Sequence, residues 1–149
     1  MNFSPAQAAA VDGYRGYTAL LKNRNLDAAL LLSQAVQLDE SVKTNWMNLA
    51  IASRRLNRTD LALDAWEHAL ALDPGNLDDR RFVAGLYRSL GGAAQTSGQH
   101  KKAVDLLRRA VQLQDDDAAA WQALAVSLEQ IGARDEASAA VRRAERPAR

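Results

Sequence analysis

Residues 46–74 read WMNLAIASRRLNRTDLALDAWEHALALDP, and their spacing decides the fold. Trp46, Leu49, Ala50 and Ser53 fall at i, i+3, i+4 and i+7, one face of a helix. Nine residues after Ser53, Ala62 opens a second stripe that runs through Trp66, Ala69 and Leu72 to Pro74, with Asn57 marking the turn between them. Two such stripes joined by a short turn are the pattern of two antiparallel amphipathic helices. The pattern recurs near the C-terminus. Trp121, Leu124, Ala125 and Leu128 are followed nine residues later by Ala137, then Val141 and Ala144, with Gly132 at the turn.

Composition agrees with an all-helical chain. Ala and Leu, two strong helix formers, supply 51 of the 149 residues, whereas Val and Ile together supply 10, too few for a β-sandwich. The 19 basic and 18 acidic side chains nearly cancel, which argues against a nucleic-acid footprint or a polybasic membrane surface. No apolar run approaches the roughly 20 residues of a membrane span. With no cysteine, disulfides, zinc–thiolate sites and thiol nucleophiles are excluded. The start of the sequence lacks the basic and apolar regions of a signal peptide, so the expected location is cytoplasmic, or periplasmic if such a segment has been removed.

The paired stripes resemble the tetratricopeptide repeat (TPR), a 34-residue helix–turn–helix unit with a W-x2-L-G-x2-Y…A-x3-F…P signature. A third copy runs through Val83, Ala84, Tyr87 and Gly91, then Ala103, Leu107, Ala110 and Leu113. The first copy keeps a good second helix in Ala28, Leu32, Ala35 and Leu38. Its first helix puts Asp12, Arg15 and Gly16 on the expected core stripe, and of these only Gly16 fits. The resemblance implies a right-handed superhelix of about eight antiparallel helices in one domain, 1–149, with repeats 9–42, 43–76, 77–117 and 118–149. The helices are expected near 5–22, 26–38, 43–56, 60–72, 77–90, 99–113, 118–131 and 134–146. Ser4-Pro5-Ala6-Gln7, Asn76 and Asp117 supply capping side chains at three of the starts.

The third copy is seven residues too long. Gly91, Gly92, Gly98, Thr96 and Ser97 oppose helix, and lengthening one helix beside a short partner would displace the next repeat by about 10 Å. These considerations predict an inserted loop over 92–98.

Catalytic and metal readings fail. His68 and His100 have no ligand or triad spacing around them, and Asp115-Asp116-Asp117 lacks the glycine and closing glutamate of a calcium loop. The glycine-rich stretch before Gln99-His100-Lys101 lacks the G-K-[ST] ending of a phosphate cradle. No catalytic residue, cofactor or metal is expected, and the three tryptophans read as packing residues. The resemblance instead implies a protein–protein interaction module, the first helix of each pair lining a concave groove. One residue off the core stripe, that face carries Tyr17, then Met47, Asn48, Ile51, Arg54 and Arg55. Further along come Arg81, Phe82 and Arg88, then Gln122 and Val126. Met47, Ile51 and Phe82 ringed by arginines would suit a peptide or helix that is partly apolar and partly acidic, with Phe82 and Met47 as anchors.

Some TPR proteins grip the C-terminal carboxylate of chaperone tails through a lysine–asparagine–asparagine–lysine–arginine clamp. The matching positions here hold Gly13, Tyr17, Asn48, Asp78 and Phe82, so only Asn48 agrees. Other roles compatible with the pattern are a dedicated chaperone for one secreted or membrane-complex client and the regulatory part of a larger enzyme. Ala139, Ala140 and Val141 are expected to be partly uncovered, giving a monomer or a weak dimer through the C-terminal end.

Overall fold

The computed structural model describes residues 2–147 and contains eight α-helices and no strand among them. They are α1 (Pro5–Leu21), α2 (Asn25–Leu38), α3 (Lys43–Arg55), α4 (Thr59–Leu72), α5 (Leu77–Thr96), α6 (His100–Leu113), α7 (Ala118–Gln130) and α8 (Arg134–Ala144). They form two compact units, the first ending at Pro74 and the second beginning at Gly75. Within the first, α1 packs on α2, α2 on α3 and α3 on α4; within the second, α5 to α8 repeat that order.

The expected caps are present. Ser4 accepts from the Gln7 amide while the Gln7 side chain accepts from the Ser4 amide, a complete capping box. Asn76 Oδ1 accepts from the Asp79 amide at 3.0 Å, and Asp117 Oδ1 accepts from the Ala120 amide at 3.1 Å.

The turns inside the four helix pairs share one construction. Asn23, Asn57, Gly98 and Gly132 take positive φ of 56°, 58°, 75° and 82°. The next amide in each case reaches five residues back, as Arg24 to the Ala19 carbonyl and Gln99 to the Ala94 carbonyl, both at 2.9 Å. These are Schellman turns, in which a left-handed residue lets the chain satisfy the last helical carbonyls. They stand 34, 41 and 34 residues apart. Hence Asn23 and Gly98 are 75 apart, and the same offset relates α2 to α6 and α3 to α7, ends included. The chain is thus two versions of one 75-residue element.

This register corrects the expectation of a loop over 92–98. That segment is the last turns of α5 and its Schellman turn, and the surplus residues lie at the other end, over 77–83. The repeat frame therefore runs 84–117, which places Gly91 where Gly16 stands in the first repeat. Both glycines do the same work. A Cβ on Gly16 would lie 2.6 Å from Leu32 Cγ, and one on Gly91 2.6 Å from Leu107 Cγ. Leu32 and Leu107 are fully buried, so neither has room to withdraw. The glycine-rich stretch is helical because close packing on the facing helix demands glycine there, and that packing outweighs a propensity cost of about 1 kcal/mol. The hydroxyls of Thr96 and Ser97 also donate back to the Gly92 and Ala93 carbonyls, so they do not compete with the helix. The longer helix does not displace the next pair, because α5 grows beyond its partner at the N-terminal end and its overlap with α6 matches that of α1 with α2.

A pair of substitutions separates these roles. Gly91→Ala should destabilise by about 1–3 kcal/mol through overpacking. Gly92→Ala, whose Cβ would meet nothing within 4 Å, should stabilise by about 0.5–1 kcal/mol. Urea unfolding midpoints measure both; equal effects would refute the packing account.

Candidate functional face

In the first unit α1 and α3 are consecutive first helices in direct contact, and residues 34 apart occupy equivalent positions on them. Gly13 leaves room for Asn45, whose side chain would meet any Cβ placed there. At the other end the Arg55 guanidinium donates to the Leu20 carbonyl at 3.1 Å and fixes the C-termini of the two helices together. Two rows then run side by side along the same face: Ala10, Tyr14, Tyr17 and Leu21 on α1, and Thr44, Asn48, Ile51 and Arg55 on α3. Tyr14 is 73% exposed, Tyr17 45% and Leu21 66%. Met47, Asn48 and Ile51 are half-buried, and Ile51 rests on a core of Ala19, Leu20, Ala28, Ala29, Leu32 and Ala52.

The arginines expected around the groove divide by what they touch. Arg55 is committed to the α1 terminus, where it also lies 3.4 Å from the Asn23 and Asn25 side-chain oxygens. Arg54 and Lys22 are exposed and form no ion pair among the described residues. The basic charge of this face accordingly sits at one end, beside Leu21.

The second unit presents a different surface. Its equivalent rows are Gly85, Ser89, Gly92 and Thr96 on α5, and Ala119, Ala123, Val126 and Gln130 on α7. These side chains are small, apart from Val126 and Gln130, both exposed. Arg88 is held by Asp117, with Nη1 2.9 Å from Oδ2, and that carboxylate also caps α7. Gln122 is exposed on α7. Phe82 lies near the start of α5, about 10 Å along the helix from Ser89, and is 48% exposed. Arg81 lines an open cavity of ≈330 Å³ with Leu77, Arg80, Asp115 and Asp116. Seven residues of helix misplace both relative to the sequence expectation. The third-repeat positions that correspond to the carboxylate clamp are, in the corrected frame, Gly85 and Ser89, neither of which carries a charge.

Other polar groups are occupied structurally. The indole N–H groups of Trp46 and Trp121 donate to the Glu40 and Asp115 carbonyls, each at 2.8 Å. His68 stacks on Trp46 with centroids 4.1 Å apart and its Nδ1 2.8 Å from the Asp64 carbonyl, while Arg143 lies over Trp121 at 5.2 Å. Asp39 accepts from the Ser41 hydroxyl and then from the Ser41 amide, which hold its carboxyl below the usual range; it stands in the α2–α3 turn, away from the face. Among the described residues no cluster of His, Asp and Glu could hold a metal ion, and no helix is long and apolar enough to cross a membrane. At the C-terminal end Val141 is exposed as expected and Ala140 is not, being 2% exposed.

Paired helices with Schellman turns, small residues at the crossings and a 34-residue period define a helical-repeat protein of the interaction-scaffold class. The tetratricopeptide repeat pattern matches residues 40–116, and the chain belongs to that family. No curated protein matches the sequence. Among solved structures, MamA resembles the chain at 24% identity with a TM-score of 0.53, over 91% of this chain and 70% of its own. A MamA mutant aligns at 20% identity and TM-score 0.55, over 96% and 79%. The Arabidopsis OM64 TPR domain aligns at 21% identity and TM-score 0.50, over 84% and 98%. These likenesses concern the fold.

Proposed function

We propose that the chain binds a segment of a partner protein on the α1–α3 face of its first unit, the segment being apolar with acidic residues at one end. The observation that carries this reading is the exposed row Tyr14, Tyr17 and Leu21 on α1 with half-buried Asn48 and Ile51 at the equivalent positions of α3. Aromatic side chains on a rigid helix supply large contact areas at low entropic cost and are frequent binding hot spots. Arg54 and Lys22 select acidic residues and make association salt-sensitive. The anchors are therefore Tyr17 and Ile51, in place of Phe82 and Met47.

Selection of a displayed peptide library on the chain tests this. The recovered sequences should combine apolar anchors with a terminal acidic cluster. Tyr17→Ala should weaken them by at least about 30-fold, the size of a hot-spot residue, with the helical spectrum unchanged. Val126→Asp in the second unit should leave binding intact. Peptides that survive Tyr17→Ala and Ile51→Asp but are lost with Val126→Asp would place docking on the other unit.

A further inference from the structure

Resting on that docking face, we infer that the segment it accepts is an amphipathic helix lying antiparallel to α1 and α3, its acidic first turn over Lys22 and Arg54. Three observations carry this.

The first is spacing. Both rows advance by four, three and four residues, Ala10 to Leu21 on α1 and Thr44 to Arg55 on α3. Such rows are the ridges that a third helix meets with its own i, i+3, i+4 and i+7 side chains. An extended chain presents same-side residues about every 6.6 Å and drifts out of step with side chains spaced on average about 5.5 Å apart.

The second is the supply of hydrogen bonds. Along the two rows the polar groups are the Tyr14 and Tyr17 hydroxyls, Thr44 and the Asn48 amide, with Arg55 already engaged. An extended segment laid here brings a donor and an acceptor per residue, most of which would be desolvated without partners. A helix arrives with its backbone satisfied.

The third is the placement of charge. The exposed cations Lys22 and Arg54 lie at the C-terminal ends of α1 and α3, the two ends that Arg55 ties together through the Leu20 carbonyl. A helix running the opposite way puts its N-terminus there. Acidic residues in its first turn are then stabilised twice, by their own helix dipole and by Lys22 and Arg54, and the dipoles of the three helices oppose favourably. The parallel orientation would bring acidic residues to a helix C-terminus, where the dipole disfavours them.

Three synthetic peptides of equal length test the inference against the full chain: an amphipathic helix with glutamates in its first turn, a helix of the same composition with them in its last turn, and the first sequence with two central residues replaced by proline. Fluorescence anisotropy should show tightest binding for the first, at least about tenfold weaker binding for the second, and none for the third. Arg54→Glu should abolish the preference between the first two. A nitroxide on the N-terminus of the bound first peptide should broaden the amide signals of Leu21, Lys22 and Arg54, and one on the C-terminus those of Gln7 and Thr44. Equal binding of the proline peptide, or the reverse broadening pattern, overturns the helix or its direction while the docking face stands. If none of the three, nor any display-selected peptide, responds to Tyr17→Ala, the face itself is wrong and the inference falls with it.

Discussion

Deleting residues 92–98 is expected to destroy the fold of the second unit. The segment contains the last turn and a half of α5, buried Ala94 and the left-handed Gly98 of the Schellman turn. Removing it joins Gly91 to Gln99 and leaves α6 no turn through which to fold back. Even with a new turn, α6 would have to slide about two helical turns, roughly 10 Å, against α5. That slide separates Gly91 from Leu107, the contact that sets the register of the pair. The loss is several kcal/mol, comparable with the roughly 5–15 kcal/mol that stabilises a typical domain. Far-UV circular dichroism should report lost helix, and hydrogen exchange should show residues 100–144 unprotected. Retained protection there would mean that the 75-residue register is wrong.

The same segment shows where sequence reading works and where it stops. Helix pairs, turn residues and caps are legible because each depends on neighbours within about seven residues: the i, i+4 stripe of Trp46 and Ala50, the Ser4 capping box, the Asn57 turn. Gly91 is different. Its role depends on Leu107, sixteen residues away on the facing helix, and a glycine read by propensity alone signals a break. The informative comparison was available in the chain itself, since Gly16 and Leu32 keep the same spacing in a stretch without adjacent glycines. Shifting the third frame by seven residues moves the concave positions with it. For that reason Arg81 and Phe82 leave the centre of the expected face and the glycines 85 and 92 enter it. Tyr17, Met47, Asn48 and Ile51 keep their expected places on α1 and α3 because the frames of the first two repeats are unshifted. Tyr14 and Leu21 complete their row and follow from adding 34-residue equivalents, Asn48 and Arg55, to the stripe. The engagement of Arg55 with Leu20 and of Arg88 with Asp117 has no sequence signal, because each joins side chain to group across some thirty residues.

Trp66→Ala is expected to cost about 3–5 kcal/mol, the range for emptying a buried aromatic site. Trp66 occupies the position held by Leu32, Leu107 and Val141 in the other repeats, the side chain that the second helix of each pair drives between helices. Leu32 and Leu107 are fully buried, Trp66 is 5% exposed and Val141 is 45% exposed. A graded series follows from burial at one repeat position. Leu107→Ala should cost about 2–5 kcal/mol, whereas Val141→Ala, which leaves no closed cavity, should cost well under 1 kcal/mol. Trp46→Ala belongs between them: its ring is half-buried, and its removal leaves the Glu40 carbonyl without the indole donor and His68 without its stacking surface. Chemical denaturation of each variant, followed by circular dichroism so that loss of a tryptophan does not remove the signal, gives the order. If Trp66→Ala melts with the wild-type midpoint, the 34-residue assignment of core positions fails for α4; if Val141→Ala costs as much as Leu107→Ala, burial at this position is not what sets the cost.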